Sequence, residues 1–256
     1  MNHEESKSIS NNNVNAWDAL RKFTNARIGL GRTGSAILTK DMLAFRSAHA
    51  RARDAVFSAL DVGALSSAMD TFSLPVFSVS SAAQDRSEYL HRPDNGRRLS
   101  NASEMLLANA KHCEREIVII VADGLSASAV MDHTMPLLQS LVPRIQQSGL
   151  TVSAIVIAQQ ARVALSDVIG SQLKARLVLM LIGERPGLST PDSLGVYLTY
   201  APAPGLTDAS RNCVSNIHPR GLSFEIAAEK IHYLVRESLR RKLSGIALKD
   251  NSGLLS

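Results

Sequence analysis

The chain has 256 residues, 45% of them apolar, enough for one sizeable core or two modest ones. Its longest uninterrupted apolar runs, Ile117 to Ala122 and Leu177 to Ile182, are six residues each, against about 20 for a membrane-spanning helix, so a helical membrane span is excluded. The net charge of +5 comes from 14 Lys+Arg against 11 Asp+Glu over residues 1–111 and 14 against 12 over 112–256. Spread this evenly, and with aromatics at only 4%, it offers neither the basic stripe nor the stacking platforms of a nucleic-acid binder.

In chain order, residues 1–15 are rich in Asn and Ser and lack both an apolar stretch and a small-residue cleavage site, so they predict a disordered tail and a cytoplasmic protein. From Ala16 to about Leu65, apolar residues recur at helical steps: Trp17, Leu20, Phe23 and Ile28, then Met42 and Phe45, then Val56 and Leu60. Two or three helices are expected there. Residues 66–95 carry Pro75, Pro93 and several serines without clear period, which places a domain boundary inside them. The resulting division is a helical N-terminal domain with its connector over 16–95 and a second domain over 96–256.

The second domain changes character, with short β-branched runs alternating with helical segments. Ile117 to Val121 and Leu177 to Ile182 are apolar throughout and Val152 to Ala158 is apolar but for Ser153, as strands covered on both faces are, and Val196 to Tyr200 is a weaker fourth strand. An apolar helical segment ending at Gly149 separates the first two, and Leu165, Val168, Ile169 and Leu173 mark a helix between the next two. The predicted fold class is therefore α/β: a C-terminal Rossmann-like open parallel sheet with helices on both faces, after a small helical N-terminal domain. A final amphipathic helix runs through Phe224, Ile231, Leu234 and Leu239, with Gly245 as its stop.

Open parallel sheets bind ligands beyond the carboxyl ends of their strands. That rule selects three loops: Asp123-Gly124-Leu125-Ser126, Gln159 to Val163, and Gly183-Glu184-Arg185-Pro186-Gly187. Singly, each also reads as an ordinary turn, and Ser126 as a helix cap. Gly29-Leu30-Gly31-Arg32-Thr33-Gly34 matches G-x-G-x-x-G and has Asp54 further on, but a helical segment precedes it where the dinucleotide fingerprint needs a strand. A nicotinamide-dependent oxidoreductase would rest on that match alone. No G-x-S-x-G elbow and no H-x-x-x-H pair occurs, and Cys113 and Cys213 stand a hundred positions apart, as two reduced thiols. Neither catalytic nor metal-ligating residues are identified, and His133 and His232 read as surface or partly buried side chains.

Several blocks are less generic. Ala26-Arg27-Ile28-Gly29-Leu30-Gly31-Arg32-Thr33-Gly34, His49-Ala50-Arg51-Ala52-Arg53-Asp54-Ala55-Val56, Arg92-Pro93-Asp94-Asn95-Gly96-Arg97-Arg98-Leu99, Asp123-Gly124-Leu125-Ser126, Gly183-Glu184-Arg185-Pro186-Gly187-Leu188 and Cys213-Val214-Ser215-Asn216-Ile217-His218 follow one another in this order. Together they resemble the small (light) chain of ethanolamine ammonia-lyase, from about residue 16 to the C-terminus. The resemblance implies a lyase that turns ethanolamine into acetaldehyde and ammonia by radical chemistry with adenosylcobalamin. It implies a hetero-oligomer in which the large subunit holds the substrate and this chain closes over cobalamin at the interface. Carried over, its cofactor-binding residues are Val163, Glu184 and Cys213. Two departures stand out. Ala36-Ile37-Leu38-Thr39 lacks a proline usual at this place in the family, and residues 1–15 are shorter than the extensions that direct longer members to a bacterial microcompartment. No histidine has Asp two positions before it, so the D-x-H-x-x-G motif that supplies a protein ligand to cobalt is not present. Outside this family, a non-catalytic scaffold with a vestigial crevice is the rival reading.

Overall fold

A computed structural model of the chain describes residues 16–24, 26–110 and 115–252; the expected tail over 1–15 and Cys113 lie outside them. The chain falls into two compact units, Met1–His49 and Ala50–Ser256. Among the described residues of the first unit, helix α1 (Ala16–Leu20) continues into a 3-10 turn at Arg21–Phe23. A two-residue hairpin follows, β1 (Arg32–Thr33) with β2 (Ala36–Ile37), turned by Gly34 at φ 62°. The G-x-G-x-x-G segment thus lies between a helix and a hairpin. Gly29 adopts φ 59° with the Trp17 side chain where a Cβ would stand, 2.2 Å away, and Arg21 Nη2 donates to its carbonyl at 2.5 Å. That is turn chemistry, with no strand ahead to aim a dinucleotide. Helix α2 (Thr39–Phe57) begins in this unit and ends in the second.

In the second unit the helices are α3 (Val62–Met69), α4 (Arg86–His91), α5 (Asn101–Ala108), α6 (Ala127–Gln147), α7 (Leu165–Gln172) and α8 (Phe224–Arg241). Side chains cap five of the six: Asp61, Asp85, Ser100, Ser126 and Ser223 each accept from a backbone N–H in the first turn of α3, α4, α5, α6 and α8, which satisfies donors a helix start would otherwise leave unmade. The strands are β3 (Val76–Ser80), β4 (Arg115–Ala122), β5 (Val152–Gln159), β6 (Ala175–Gly183), β7 (Leu194–Tyr200) and β8 (Arg211–Ile217), ordered β3-β5-β4-β6-β7-β8.

The first four strands in that order are parallel, joined through α6 and α7 as expected. Two features differ from the expected all-parallel sheet. β7 and β8 run antiparallel, because the Glu184–Ser193 connection contains no helix to carry the chain back across a face. The 66–95 stretch, read as a connector, supplies edge strand β3 after Pro75; Val-Phe-Ser-Val-Ser is too short and too rich in serine to announce itself.

Both faces are covered. Ile117, Ile119, Val121, Ile155, Ile157, Leu179 and Leu181 join residues of α3, α6 and α8 in one apolar cluster. Val118, Ile120, Val156, Val178 and Met180 join α5 and α7 in the other. The alternation of two clusters along strands that are almost wholly apolar is the signature of a sheet buried on both sides. Helix α8 stops earlier than expected: Lys242 takes the left-handed conformation at φ 57° and its N–H bonds Ser238 O. Gly245 serves a different need, since a Cβ there would lie 2.0 Å from Ala209 O.

Gly183 lies where the end of β6 meets the loop after β4, and a Cβ there would come within 2.1 Å of Ser126 O and 2.6 Å of Asp123 O. Backbone cannot yield as a flexible side chain would. Gly183→Ala is expected to destabilise the chain by about 1–3 kcal/mol in a denaturant titration. Gly187→Ala in the same loop, whose nearest neighbour would stand at an ordinary 3.4 Å, is expected to stay within about 0.5 kcal/mol.

Candidate functional site

From β4 the chain crosses through α6 to β5 on one side, then through α7 to β6 on the other. The carboxyl ends of β4 and β6 therefore form the switch point of the sheet, where α/β proteins keep their ligand crevice. The backbones close on each other there. Gly124, at φ 53°, has Gly183 O where a Cβ would be, at 2.3 Å, and Leu125 N donates to Gly183 O at 3.0 Å.

Asp123 ties two of the three loops selected from the sequence and anchors them to α4. It is 5% exposed; its Oδ2 accepts from Gln160 N at 2.9 Å and its Oδ1 from Ala161 N at 3.2 Å. Arg86 Nη1 reaches Oδ2 at 3.4 Å and Gly124 O at 2.9 Å, while Arg86 Nε donates to Val56 O at 2.6 Å. Burial pushes the Asp123 carboxyl above its ordinary pKa, and the Gln160 amide and Arg86 charge oppose that rise. Ser126 is the cap of α6, and its hydroxyl also donates to Pro191 O at 3.1 Å.

Above these loops is a crevice of about 410 Å³. One wall holds the fully buried Tyr89 ring, with the guanidinium of Arg162 at 4.3 Å from its centroid and that of Arg86 at 4.8 Å. Tyr89 Oη donates to Ala161 O at 3.1 Å and Arg162 Nη2 to Tyr89 O at 3.1 Å. Burial raises the Tyr89 pKa to about 12, so the phenol stays neutral. Gly96 makes room for this wall, since a Cβ there would meet Arg162 Cγ at 2.8 Å, and Arg162 N donates to Gly96 O at 2.8 Å. The Arg92–Leu99 block stood out only through the family resemblance, and nothing in the sequence joined it to Tyr89 and Arg162.

Val163 and Glu184 both line the crevice. Val163 is half-buried against the α5–α7 core cluster, and its carbonyl accepts from Ser166 N and Oγ at the start of α7. Glu184 is half-buried. Its Oε2 accepts from Ser193 Oγ at 2.7 Å and Asn216 N at 3.2 Å, and its backbone N–H donates to Ser193 O at 3.0 Å. Gly195 gives the side chain room, because a Cβ there would lie 2.9 Å from Oε1. Among the described residues Oε1 accepts no hydrogen bond, and Arg185 forms no ion pair with the carboxylate.

Cys213 is exposed on edge strand β8 and does not line the crevice itself. It stands opposite Tyr197, a lining residue, in the β7–β8 register. Desolvation pushes the Cys213 thiol above its ordinary pKa, with the neighbouring Tyr197 hydroxyl opposing and the Glu184 charge adding. Tyr197 is raised to about 12, chiefly by burial. The Ser-Asn-Ile-His block makes the turn that ends β8. Asn216 is left-handed at φ 61°, its Oδ1 contacts His218 Nε2 at 3.0 Å, and its N–H is the one held by Glu184. A second trough, of about 730 Å³, shares Arg162, Val163 and Tyr197 with the crevice.

This arrangement of blocks and loops matches a known family. The model of the ethanolamine ammonia-lyase light chain aligns with residues 14–249. The chain belongs to this family. The ethanolamine ammonia-lyase small subunit of Azotobacter vinelandii is 50% identical over 241 residues, covering 93% of this chain and 89% of that one. The corresponding small subunit of Rhodopseudomonas palustris is 52% identical over 235 residues, with coverage of 92% and 90%, and that of Ralstonia nicotianae 48% over 239, with 92% and 88%. The family match runs through every block quoted above, including the glycines whose close backbone approaches build the switch point.

Burial is the main cause holding the pKa values of His218 and His232 below that of ordinary imidazole; Asp192 partly counters it at His218, and Arg236 and Arg144 add to it at His232. The folded chain therefore binds fewer protons than the unfolded one. The stabilisation is complete above the unfolded pKa of about 6.5 and is lost as pH falls towards the depressed folded values. Unfolding free energy is expected to decline between about pH 7 and about pH 5, and the double variant His218→Gln/His232→Gln to show a shallower decline over that window. An unchanged slope would show that other groups dominate acid sensitivity.

Proposed function

We propose that this chain is the cobalamin-holding small subunit of an adenosylcobalamin-dependent ethanolamine ammonia-lyase, which converts ethanolamine to acetaldehyde and ammonia only when joined to a large subunit that holds the substrate. The relatives' names supply the reaction. The observation that carries this chain's part is the Glu184 carboxylate, fixed by Ser193 and the Asn216 amide with one oxygen uncommitted at the mouth of the switch-point crevice.

The residues present fit the group. The rim of a corrin carries amide N–H donors, which suit a preoriented carboxylate acceptor, and its apolar edge suits Val163 and Ile182. When bound, adenosylcobalamin supplies the carbon-centred radical that abstracts hydrogen from the substrate. This chain's residues bind and orient. Glu184 would accept from a rim amide, Val163 would exclude water at the neck between crevice and trough, and Cys213 would back Tyr197 from the facing position of β8. A complex of this kind works in the cytoplasm or inside a bacterial microcompartment.

In the assembled complex, Glu184→Ala is expected to weaken cobalamin binding roughly 10- to 150-fold, the equivalent of a charge-assisted hydrogen bond of about 1.5–3 kcal/mol, with the cofactor-free melting temperature nearly unchanged. Ser193→Ala keeps the carboxylate but releases its rotamer, and about a 3- to 10-fold loss is expected for roughly 1 kcal/mol. Cys213→Ser is expected to cost less than about fivefold. Equilibrium dialysis against hydroxocobalamin measures all three. Parent-like affinity in Glu184→Ala would return the carboxylate to a purely structural role, and a complex that binds no corrinoid at all would favour the scaffold reading.

A further inference from the structure

The trough beside the crevice runs between the start of α7 and the outer face of β7 and β8, and its charges are not balanced. It is lined by Arg97, Arg98, Arg162 and Arg211, with Asp167 and Asp208 as its only carboxylates among the described residues. Arg211 is already matched. Its buried guanidinium pairs with the equally buried Asp167, and it also donates to Asp208 at 3.0 Å and to Leu206 O at 3.2 Å. Arg98 is held by Asn95 Oδ1 and lies 3.9 Å from Asp94.

Arg162 and Arg97 have no such partner. Arg162 rests on the Tyr89 ring and bonds the Tyr89 carbonyl, neither of which neutralises its charge, and its Nε is buried without a hydrogen-bond acceptor among the described residues. A guanidinium N–H left in that state is costly unless something fills it. Arg97 is exposed and makes no side-chain hydrogen bond or ion pair among the described residues. Two uncompensated cations therefore border a cavity that opens from the crevice at Val163 and Tyr197, and a cavity with that bias selects an anion.

We infer that the trough is an anion subsite for a phosphodiester, with Arg97 and Arg162 as its cationic wall. The inference rests on the cobalamin reading, because that ligand carries one phosphodiester, in the arm joining its corrin to its ribose and benzimidazole. The corrin rim would lie at Glu184 and the anionic arm would pass the Val163–Tyr197 neck into the trough. The 730 Å³ of space there has no other evident use.

The test compares two corrinoids on the assembled complex. Hydroxocobalamin has the phosphodiester arm; cobinamide keeps the corrin and its amides and lacks the arm. Arg97→Glu, at an exposed and unpaired position, is expected to lower hydroxocobalamin affinity about tenfold and cobinamide affinity less than twofold. Arg162→Lys keeps charge but loses the planar fork, and is expected to lower the cobalamin-to-cobinamide preference about threefold. Added salt should weaken hydroxocobalamin binding more in the parent than in Arg97→Glu. If both corrinoids lose affinity equally, or if neither variant changes the preference, the subsite is overturned; should Arg162→Lys fail to assemble, Arg97→Glu decides alone. A parent complex that binds neither corrinoid refutes the cobalamin reading itself, and a parent that binds both without preference refutes only the subsite.

Discussion

The site depends on one buried carboxylate. Asp123 stands at the end of β4, almost without solvent, and its burial is costly enough to push its pKa upward. What keeps it there is a set of donors drawn from elsewhere: the amides of Gln160 and Ala161 after β5, and Arg86 on α4. Each donor is also fixed by this contact, so the loops after β4 and β5 and the start of α4 acquire one geometry. Gln160 accepts a left-handed φ of 54° as part of that bargain, a strain of the kind a well-determined surround can sustain. With the β4 loop so placed, Gly124 and Gly183 can meet backbone to backbone, and Glu184 leaves β6 from a fixed starting point.

Much of this was legible in the sequence because strands covered on both faces leave an almost uninterrupted apolar run. Ile117 to Val121, Val152 to Ala158 and Leu177 to Ile182 needed no partner to be recognised, and the helices between them fixed the parallel connections. The sheet edges were not legible for the converse reason. In β8, Arg-Asn-Cys-Val-Ser-Asn-Ile is half exposed and polar, and it resembles a loop until β7 is beside it. The polarity of β7 itself depends on the missing helix in the Glu184–Ser193 connection, which is a matter of what the chain does not build. Lys242 as the stop of α8 was hidden because a left-handed lysine has no sequence signature, whereas a glycine three residues later does.

The site divides in the same way. The loops that hold Val163 and Glu184 could be chosen from strand ends and one topological rule before any fold was seen, although the residues themselves were singled out by the resemblance. Cys213 could not, since its place depends on an edge strand that the pattern did not reveal; only the resemblance pointed to it. Tyr89 escaped altogether. Its partners Arg86, Ala161 and Arg162 lie on both sides of β4 in sequence, and its hydroxyl bonds a carbonyl 72 positions away. Contacts of that range leave no period to read.

The protonation states of the crevice bear on what kind of surface it is. Tyr89 and Tyr197 are both raised to about 12, so neither gives up its proton near neutral pH, and the Cys213 thiol is likewise pushed upward. General acid–base work calls for a group poised close to the working pH, and these three are displaced away from it by the same burial that fixes their positions. The Glu184 carboxylate has one oxygen spent on Ser193 and Asn216, and Arg162 holds its charge against an aromatic face. Such a set is stiff and complementary to amide donors and to anions, and it has little to offer in proton transfer. On the proposed reading the chemistry would belong with the subunit that meets the substrate, and the physical task left to this chain would be to hold a large polar cofactor without reacting with it.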